Sequence, residues 1–565
     1  MQNASPPAPA SVPLLLGSFA LFLCWLAPGH FFPWPNFQNE FVAAIAALFF
    51  GVAAVASRPA RLQWPALSSG VLLAASVAAV QLAVGQIKFL SDGVLALLFL
   101  VGFALSIAVG ATLAEVQRKE FLGSVFGALL AAGLVSAGMA AMQWLQLGQI
   151  PFVAWIPPGE RPIANLAQPN HLASLFALAL LSALWLYETQ RIGGRTLWLV
   201  ALWLGLGLIM ARSRTTWVAA PLFALGWLLM QRRARTRLRW QPLVLWLALF
   251  LIGVLMWGPL SESVGTNAPV SVAQRVQAGG GRLNIWSALV EALSASPWVG
   301  YGWTQVSRAG LAGSLHHFTG EAMMRNSHNT LLDLLLWNGV PLGLLFIGAL
   351  AGWWLVRLRA CTTAEHWVVL SAIGVVFVHA MFEFPFEYLY FLLPVGLLMG
   401  ALEDSASQRR TSWQVPRVAV AMALAGLAVA TAWVGVEYMR VEEGSRDNRM
   451  LAAGYARSAE LPDVLLLDEP REYMLFWRTT ARAGMTEGEL AWMRKVVERN
   501  PAPPALLRYA LATGINGRPD DAARTLVQLC NMHKVASCDE GRKSWGLLQE
   551  QFDMLRTIPY PPPRS

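Results

Sequence analysis

Residues 93–114 read GVLALLFLVGFALSIAVGATLA, a stretch without one charged side chain. A run of about 20 apolar residues is long enough to cross the hydrocarbon core of a bilayer. Lipid offers the backbone no hydrogen-bond partners, so such a run must be a helix. The rest of the chain repeats the pattern. Of its 565 residues 56% are hydrophobic and only 13% charged, a balance foreign to a soluble protein of this size. About thirteen spans are predicted, near 12–28, 40–57, 65–85, 93–114, 121–146, 170–187, 196–211, 215–231, 241–258, 329–356, 367–382, 388–402 and 416–436. Many of the 25 tryptophans stand near the ends of these runs, as interfacial anchors do. The expected fold is all-α: a polytopic membrane helix bundle with a large outer loop and a C-terminal soluble α-helical domain.

Charge orients the bundle. The net charge of +9 is concentrated in short loops: Arg58 and Arg61; Arg118 and Lys119; Arg191 and Arg195; Arg232 to Arg239; Arg357 and Arg359; Arg409 and Arg410. These alternate with loops poor in Lys and Arg, the positive-inside pattern of cytoplasmic loops. The basic balance therefore reflects topology and gives no reason to expect nucleic acid. The N-terminal ten residues lack the basic region of a cleavable signal peptide, so the first run is expected to be a retained helix starting from the cytoplasm. With Ala211-Arg212-Ser213-Arg214 read as a tight outer turn, the basic loops on either side both stay inside and the C-terminal segment lies outside.

Three outer segments are then polar: residues 148–170, the loop 259–328, and His379 to Tyr388. Beyond Arg440 the composition becomes that of a soluble helical domain. The expected division is a membrane domain at 1–440, containing the outer loop 259–328, and a helical domain at 441–565. There Asn516-Gly517-Arg518-Pro519 reads as a turn entering a helix. Cys530 and Cys538 are expected to pair if the domain is extracytoplasmic. The closing Pro-Tyr-Pro-Pro-Pro is expected to be a disordered tail.

Several polar groups stand where an apolar helix begins. His328 opens the span at 329–356, with Asn326 or Ser327 suited to cap it. A helix N-terminus favours anions, and a histidine there can act as a general base or simply sit at the interface. Gln168-Pro169-Asn170-His171 opens another helix with Pro at the tolerant first position, leaving Gln168 and Asn170 for polar contacts or for capping. Arg214 and Arg282 carry the guanidinium forks that suit phosphate, against the plain alternative of solvated loop arginines. Arg214 adjoins apolar spans, where an unpaired charge is costly. Glu383 is available as its counter-ion or to orient His328. His316 and His317 are adjacent rather than one turn apart, and no motif for metal, ATP or nicotinamide binding or for serine hydrolysis is present.

In chain order, Arg161-Pro-x-x-Asn165-x-x-Gln168-Pro-Asn170-His, Ser213-Arg214-x-x-Trp217, Arg282-x-x-x-Trp286, Ser327-His328-Asn329 and His379-x-x-x-Glu383-x-Pro resemble the bacterial O-antigen ligase/polymerase superfamily. The Gln-Pro-Asn element, Phe31-Phe-Pro-Trp-Pro-Asn-Phe-x-Asn39-Glu40 and the C-terminal domain resemble its protein O-oligosaccharyltransferase (PglL/PilO type) branch. Ala164 stands where that family's loop is expected to carry Gly. The resemblance implies a multi-pass enzyme of the bacterial inner membrane with its active site facing the periplasm. It implies transfer of an oligosaccharide from undecaprenyl pyrophosphate to a Ser or Thr of a pilin-like protein, with no cofactor or metal. It implies His328 as catalytic residue and Arg282 and Arg214 on the pyrophosphate. Gln168, Asn170, Arg161, Glu383 and Asn329 would contact glycan or acceptor or support those that do. The rivals are an O-antigen ligase acting on lipid A-core, an O-antigen polymerase, and, in another class, a transporter or flippase.

Overall fold

The computed structural model describes residues 11–57, 61–264, 266, 281–320, 324–403, 413–455 and 458–562. Arg58, Arg275, Arg409, Arg410 and the N-terminal ten residues lie outside the described residues. The chain is an all-α polytopic membrane protein. Among the described residues, eight helices are long and apolar enough to cross a membrane, and three shorter apolar helices join them.

The chain folds as two compact units. The first comprises Met1–Ala75, Leu98–Ser271 and Gly352–Gly435; the second comprises Ser76–Leu97, Val272–Ala351 and Val436–Ser565. The helices, in chain order, begin with α1 (Ser11–Leu23), α2 (Phe37–Ser57), α3 (Ala66–Ala83), α4 (Leu90–Trp144) and α5 (Pro169–Glu188). They continue with α6 (Gly194–Ala211), α7 (Arg214–Gln231), α8 (Trp240–Ser263), α9 (Gly281–Ala295) and α10 (Val306–Gly313). Then come α11 (Thr330–Ala360), α12 (Ala364–Ala380), α13 (Leu389–Ala401) and α14 (Arg417–Ala452). The C-terminal helices are α15 (Asp468–Arg478), α16 (Glu487–Arg499), α17 (Pro503–Ile515), α18 (Pro519–Met532) and α19 (Val535–Gln551).

Several boundaries depart from expectation. The first run is helical only to Leu23, after which the chain turns at Cys24 to Leu26 and continues as an irregular loop. The spans near 93–114 and 121–146 are one element broken at Gln117 (φ −147°, ψ 54°), beside the basic Arg118 and Lys119. Helix α11 is broken at Gly339 (φ 76°, ψ 171°), ahead of Pro341. That conformation is one only glycine tolerates easily, and a Cβ there would meet the Trp298 carbonyl oxygen at 2.4 Å. The Ala211–Arg214 turn is as tight as expected: α6 ends with Arg212 in the left-handed region and α7 starts two residues later.

In the first unit small residues let helices touch. A Cβ on Gly110 would lie 2.2 Å from the Leu397 carbonyl oxygen, and one on Gly400 would lie 2.1 Å from that of Ile107, so α4 and α13 meet backbone to backbone. At one end of this contact Arg118 donates to Glu365 and to the Ala401 carbonyl. Residues Arg61–Trp64 and Trp413–Pro416 form a two-stranded antiparallel ribbon that the helical reading did not anticipate. Helix α8 exposes Leu245, Leu251, Ile252 and Leu255, each more than half exposed, which is the surface a lipid solvent covers.

In the second unit the helices of residues 281–313 and the C-terminal helices interlock. Arg499 makes a bidentate pair with Asp92, which also accepts from Gln305. Arg308 reaches Glu498, and Thr319 donates backbone and side-chain bonds to Asn531 and Met532. Gly517 (φ 76°) turns the chain into α18 as expected, and Cys530 and Cys538 form a disulfide. The disordered tail is corrected: Tyr560 packs on the core around Trp545 and Leu526, donates to the Cys538 carbonyl and lies under Arg542. A tyrosine that finds both an apolar bed and an acceptor is held in spite of its flanking prolines.

Candidate functional site

In the first unit the candidate residues gather around the start of α5. Pro169 occupies the first helical turn, and Gln168 before it is extended with no side-chain cap. The side chains are thereby released sideways. Asn170 Nδ2 donates to Glu383 Oε1 at 2.9 Å, and Gln168 Nε2 lies 3.0 Å from His171 Nε2. His171, wholly buried, has its Nδ1 2.7 Å from the Tyr390 hydroxyl, and one turn on Ser174 Oγ is 2.9 Å from His379 Nδ1. These bonds give His171, Ser174 and Tyr390 polar partners in a low-dielectric setting.

The loop leading into α5 is clamped from α4. Gln143 accepts from the backbone N–H groups of Ile163 and Ala164 and donates to the carbonyls of Ala154 and Ala164. Ala164 holds φ 51°, the left-handed conformation for which Gly was expected, and the bonds from Gln143 to both of its peptide groups fix it there. Asn165 ties the same loop to the carbonyls of Leu26 and Phe152. Burial drives the pKa of the neighbouring His30 below the ordinary imidazole value, opposed by bonds to the Pro35 and Asn165 carbonyls. Arg161 donates to the carbonyls of Ala211 and Arg212 at 3.4 Å, bracing the turn from which Arg214 starts α7. Ser213 bonds Thr215 at 2.6 Å and Thr216 returns a bond to the Ser213 carbonyl, so that turn is closed on itself.

In the second unit Arg282 is the second residue of α9, and Trp286 stands one turn later on the same face. Trp286 Nε1 donates to the Ser327 carbonyl at 2.9 Å, which ties the Arg282 helix to the residue before His328. The expected cap is corrected here. Neither Asn326 nor Ser327 caps α11; Asn329 does, its Oδ1 accepting from Leu331 and Leu332 at 3.0 and 3.2 Å. Asn329 sits at the correct offset from those amides, whereas Ser327 is engaged with the Asn329 backbone. The buried Asp333 accepts from the Ser327 N–H at 2.9 Å. His328 is left between these anchors at φ 57°, outside the helix and half-buried.

The structure thus collects Gln168, Asn170 and Glu383 in one cluster and Arg161 beside the Arg214 turn, all in the first unit. It collects Arg282, His328 and Asn329 in the second. Arg325 donates to Asn500 Oδ1 at 2.7 Å, and His316 and His317 both approach Glu291. Sequence reading missed Gln143, His171, Tyr390 and Asp333. A carboxylate three residues into an apolar helix was the available signal for Asp333.

A membrane helix bundle that presents arginine, histidine and amide side chains at helix starts has the chemistry to bind an anionic, hydroxyl-bearing ligand. Family models agree along the chain: a protein glycosylation ligase model matches residues 162–187, an O-antigen ligase model 199–347, and the C-terminal model of a virulence factor membrane-bound polymerase 367–538. The chain is 30% identical over 538 residues to the general O-oligosaccharyltransferase of Acinetobacter baylyi, covering 92% of each protein. It is 28% identical over 337 residues to the ComP-specific O-oligosaccharyltransferase of the same organism, covering 59% of this chain and 61% of that one. The chain belongs to the O-oligosaccharyltransferase family within the O-antigen ligase superfamily.

Proposed function

We propose that this protein moves a preassembled glycan en bloc from undecaprenyl pyrophosphate to Ser or Thr hydroxyls of periplasmic proteins, pilins among them, at the outer face of the inner membrane. The observation that carries the reading is the Trp286–Ser327 bond, because it couples the helix bearing Arg282 to the turn bearing His328. An anion-binding guanidinium and a titratable imidazole are what a pyrophosphate donor and a hydroxyl acceptor require.

In this scheme the acceptor oxygen bonds to the anomeric carbon while the bond from that carbon to the pyrophosphate oxygen breaks. The lipid pyrophosphate leaves with the electron pair, and His328 takes the hydroxyl proton. Arg282 and Arg214 offset the charge that grows on the leaving group. Gln168 and Asn170 contact glycan or acceptor, supported by Arg161 and Glu383, and Asn329 holds the turn beside His328. The scheme calls on neither a nucleotide nor a metal. Residues 441–565 act as a periplasmic helical domain within the larger assembly of membrane and outer loop; the Cys530–Cys538 disulfide supports an oxidising location.

The test offers purified protein and a lipid-linked oligosaccharide, in detergent, either a pilin or lipid A-core. The expected outcome is glycosylated pilin. Glycosylated lipid A-core with untouched pilin would make the protein an O-antigen ligase, and elongated lipid-linked glycan would make it a polymerase. Transfer in detergent, with no barrier to cross, removes transport as the required activity.

A further inference from the structure

Between α7 and α8, the stretch Arg232 to Arg239 holds five arginines and no acidic residue. The loop is fixed rather than merely tethered. Glu188 accepts from the backbone N–H groups of Arg237 and Leu238 at 2.9 and 2.8 Å. Trp227, Gln231 and Thr236 all donate to the single Leu238 carbonyl. Arg237 is turned away, stacked over Tyr187 and donating to its carbonyl. The other four, Arg232, Arg233, Arg235 and Arg239, are exposed, and among the described residues none has an ion pair or side-chain hydrogen bond. Together they line an open recess of about 690 Å³ with no carboxylate in its wall.

Orientation of a membrane protein needs positive charge in a loop, but it does not need that charge to converge. Four unneutralised guanidinium groups around one recess repel one another, and an anion relieves the repulsion. Guanidinium forks match phosphate oxygens in pairs, so the set suits a ligand with more than one phosphate oxygen face. The surroundings select the source. Trp240, half exposed, begins α8 at the rim, and the exposed apolar side chains Val244 and Leu245 follow it down the helix. A headgroup in the recess would leave its acyl chains along that face.

We propose that this recess is a binding site for the phosphate headgroup of an anionic phospholipid of the cytoplasmic leaflet, a two-phosphate headgroup fitting its four arginines best. The site is separate from the transfer reaction proposed above and stands whether or not that reading holds. The test uses the full chain in detergent, titrated with cardiolipin, phosphatidylglycerol or phosphatidylcholine and read by native mass spectrometry and thermal unfolding. Cardiolipin is expected to bind at least tenfold more tightly than phosphatidylcholine and to raise the unfolding temperature. The R232Q/R233Q/R235Q variant is expected to lose that preference. Equal retention of cardiolipin by the variant overturns the proposal, as does stabilisation by inorganic phosphate at matched phosphate concentration. Should the glutamine variant insert wrongly, R232K/R233K/R235K keeps the orienting charge while removing the forks. It is expected to bind at least threefold more weakly, and wild-type affinity in that variant overturns the proposal equally.

Discussion

Two helix starts, α5 and α11, solve the same problem in opposite ways. At α5 the backbone is provided for by Pro169, whose missing N–H is one the helix would not have used. Gln168 then spends its side chain on the His171 ring in the first turn, and Asn170 spends its own on Glu383 of another element. At α11 the side chains themselves provide the start. Asn329 takes two helix-start amides, Asp333 takes the Ser327 amide, and His328 holds φ 57° between them. The contrast teaches that a capping residue and a chemically available residue are alternatives at one position. Motif spacing alone does not say which is which.

The largest effects should fall on His328 and its partner across the Trp286 bond. His328→Ala is expected to lower kcat by about a thousandfold, within the range of general-base removal, and Arg282→Ala by about a hundredfold or more. Membrane insertion of both variants, followed by protease protection, is expected to match wild type. Full transfer activity in either variant breaks the assigned role.

Next comes the anchor. Asp333→Ala leaves the Ser327 amide buried without an acceptor, a cost of about 1–3 kcal/mol that the His328 turn would relieve by moving. Transfer is expected to fall by about ten- to a hundredfold in kcat with little change in the donor KM. Asp333→Asn, which keeps an acceptor oxygen, is expected to recover most of it. In the His328→Ala background Asp333→Ala should add little, because the two act as one unit. Additive losses would show that Asp333 serves only folding.

At the other helix start, Asn170→Ala removes one partner of Glu383 and is expected to reduce transfer by about tenfold, since bonds to charged groups are worth roughly 1.5–3 kcal/mol. Apparent affinity for glycan or acceptor should carry most of the loss. An unchanged KM for both substrates would remove Asn170 from the contact surface.

Much of this was legible in the chain. Apolar runs of bilayer length gave the helices, and the Arg212 turn followed from keeping both flanking basic loops on one side. What was not legible depends on contacts far apart in sequence. The pairing of residues 61–64 with 413–416 has no local signature. Ala164 in a left-handed conformation contradicts its own propensity and exists because Gln143 holds both of its peptide groups. The tail looked disordered because composition cannot reveal that Tyr560 finds the Cys538 carbonyl. At the site, residue types were readable and their division of labour was not: Ser327, Asn329 and Asp333 all look like helix-start residues, and only geometry separates cap, brace and anchor.

The smallest predicted effects test the comparison most directly, because they concern the helix starts and not the chemistry. Asn329→Ala removes the side chain that serves two amides, and loss of such a cap costs about 1 kcal/mol. Pro169→Ala removes no donor and leaves φ accessible, so its cost should stay within a few tenths of a kcal/mol. Hydrogen exchange at residues 330–332 is therefore expected to speed up by about fivefold in Asn329→Ala, while exchange at residues 170–172 stays near wild type in Pro169→Ala. A comparable acceleration at both sites would mean that α5 also relies on its first residue for stability. Gln168 and Asn170 would then be part of a cap after all, and the distinction between a side chain spent on the backbone and one released to a ligand would fail at that helix.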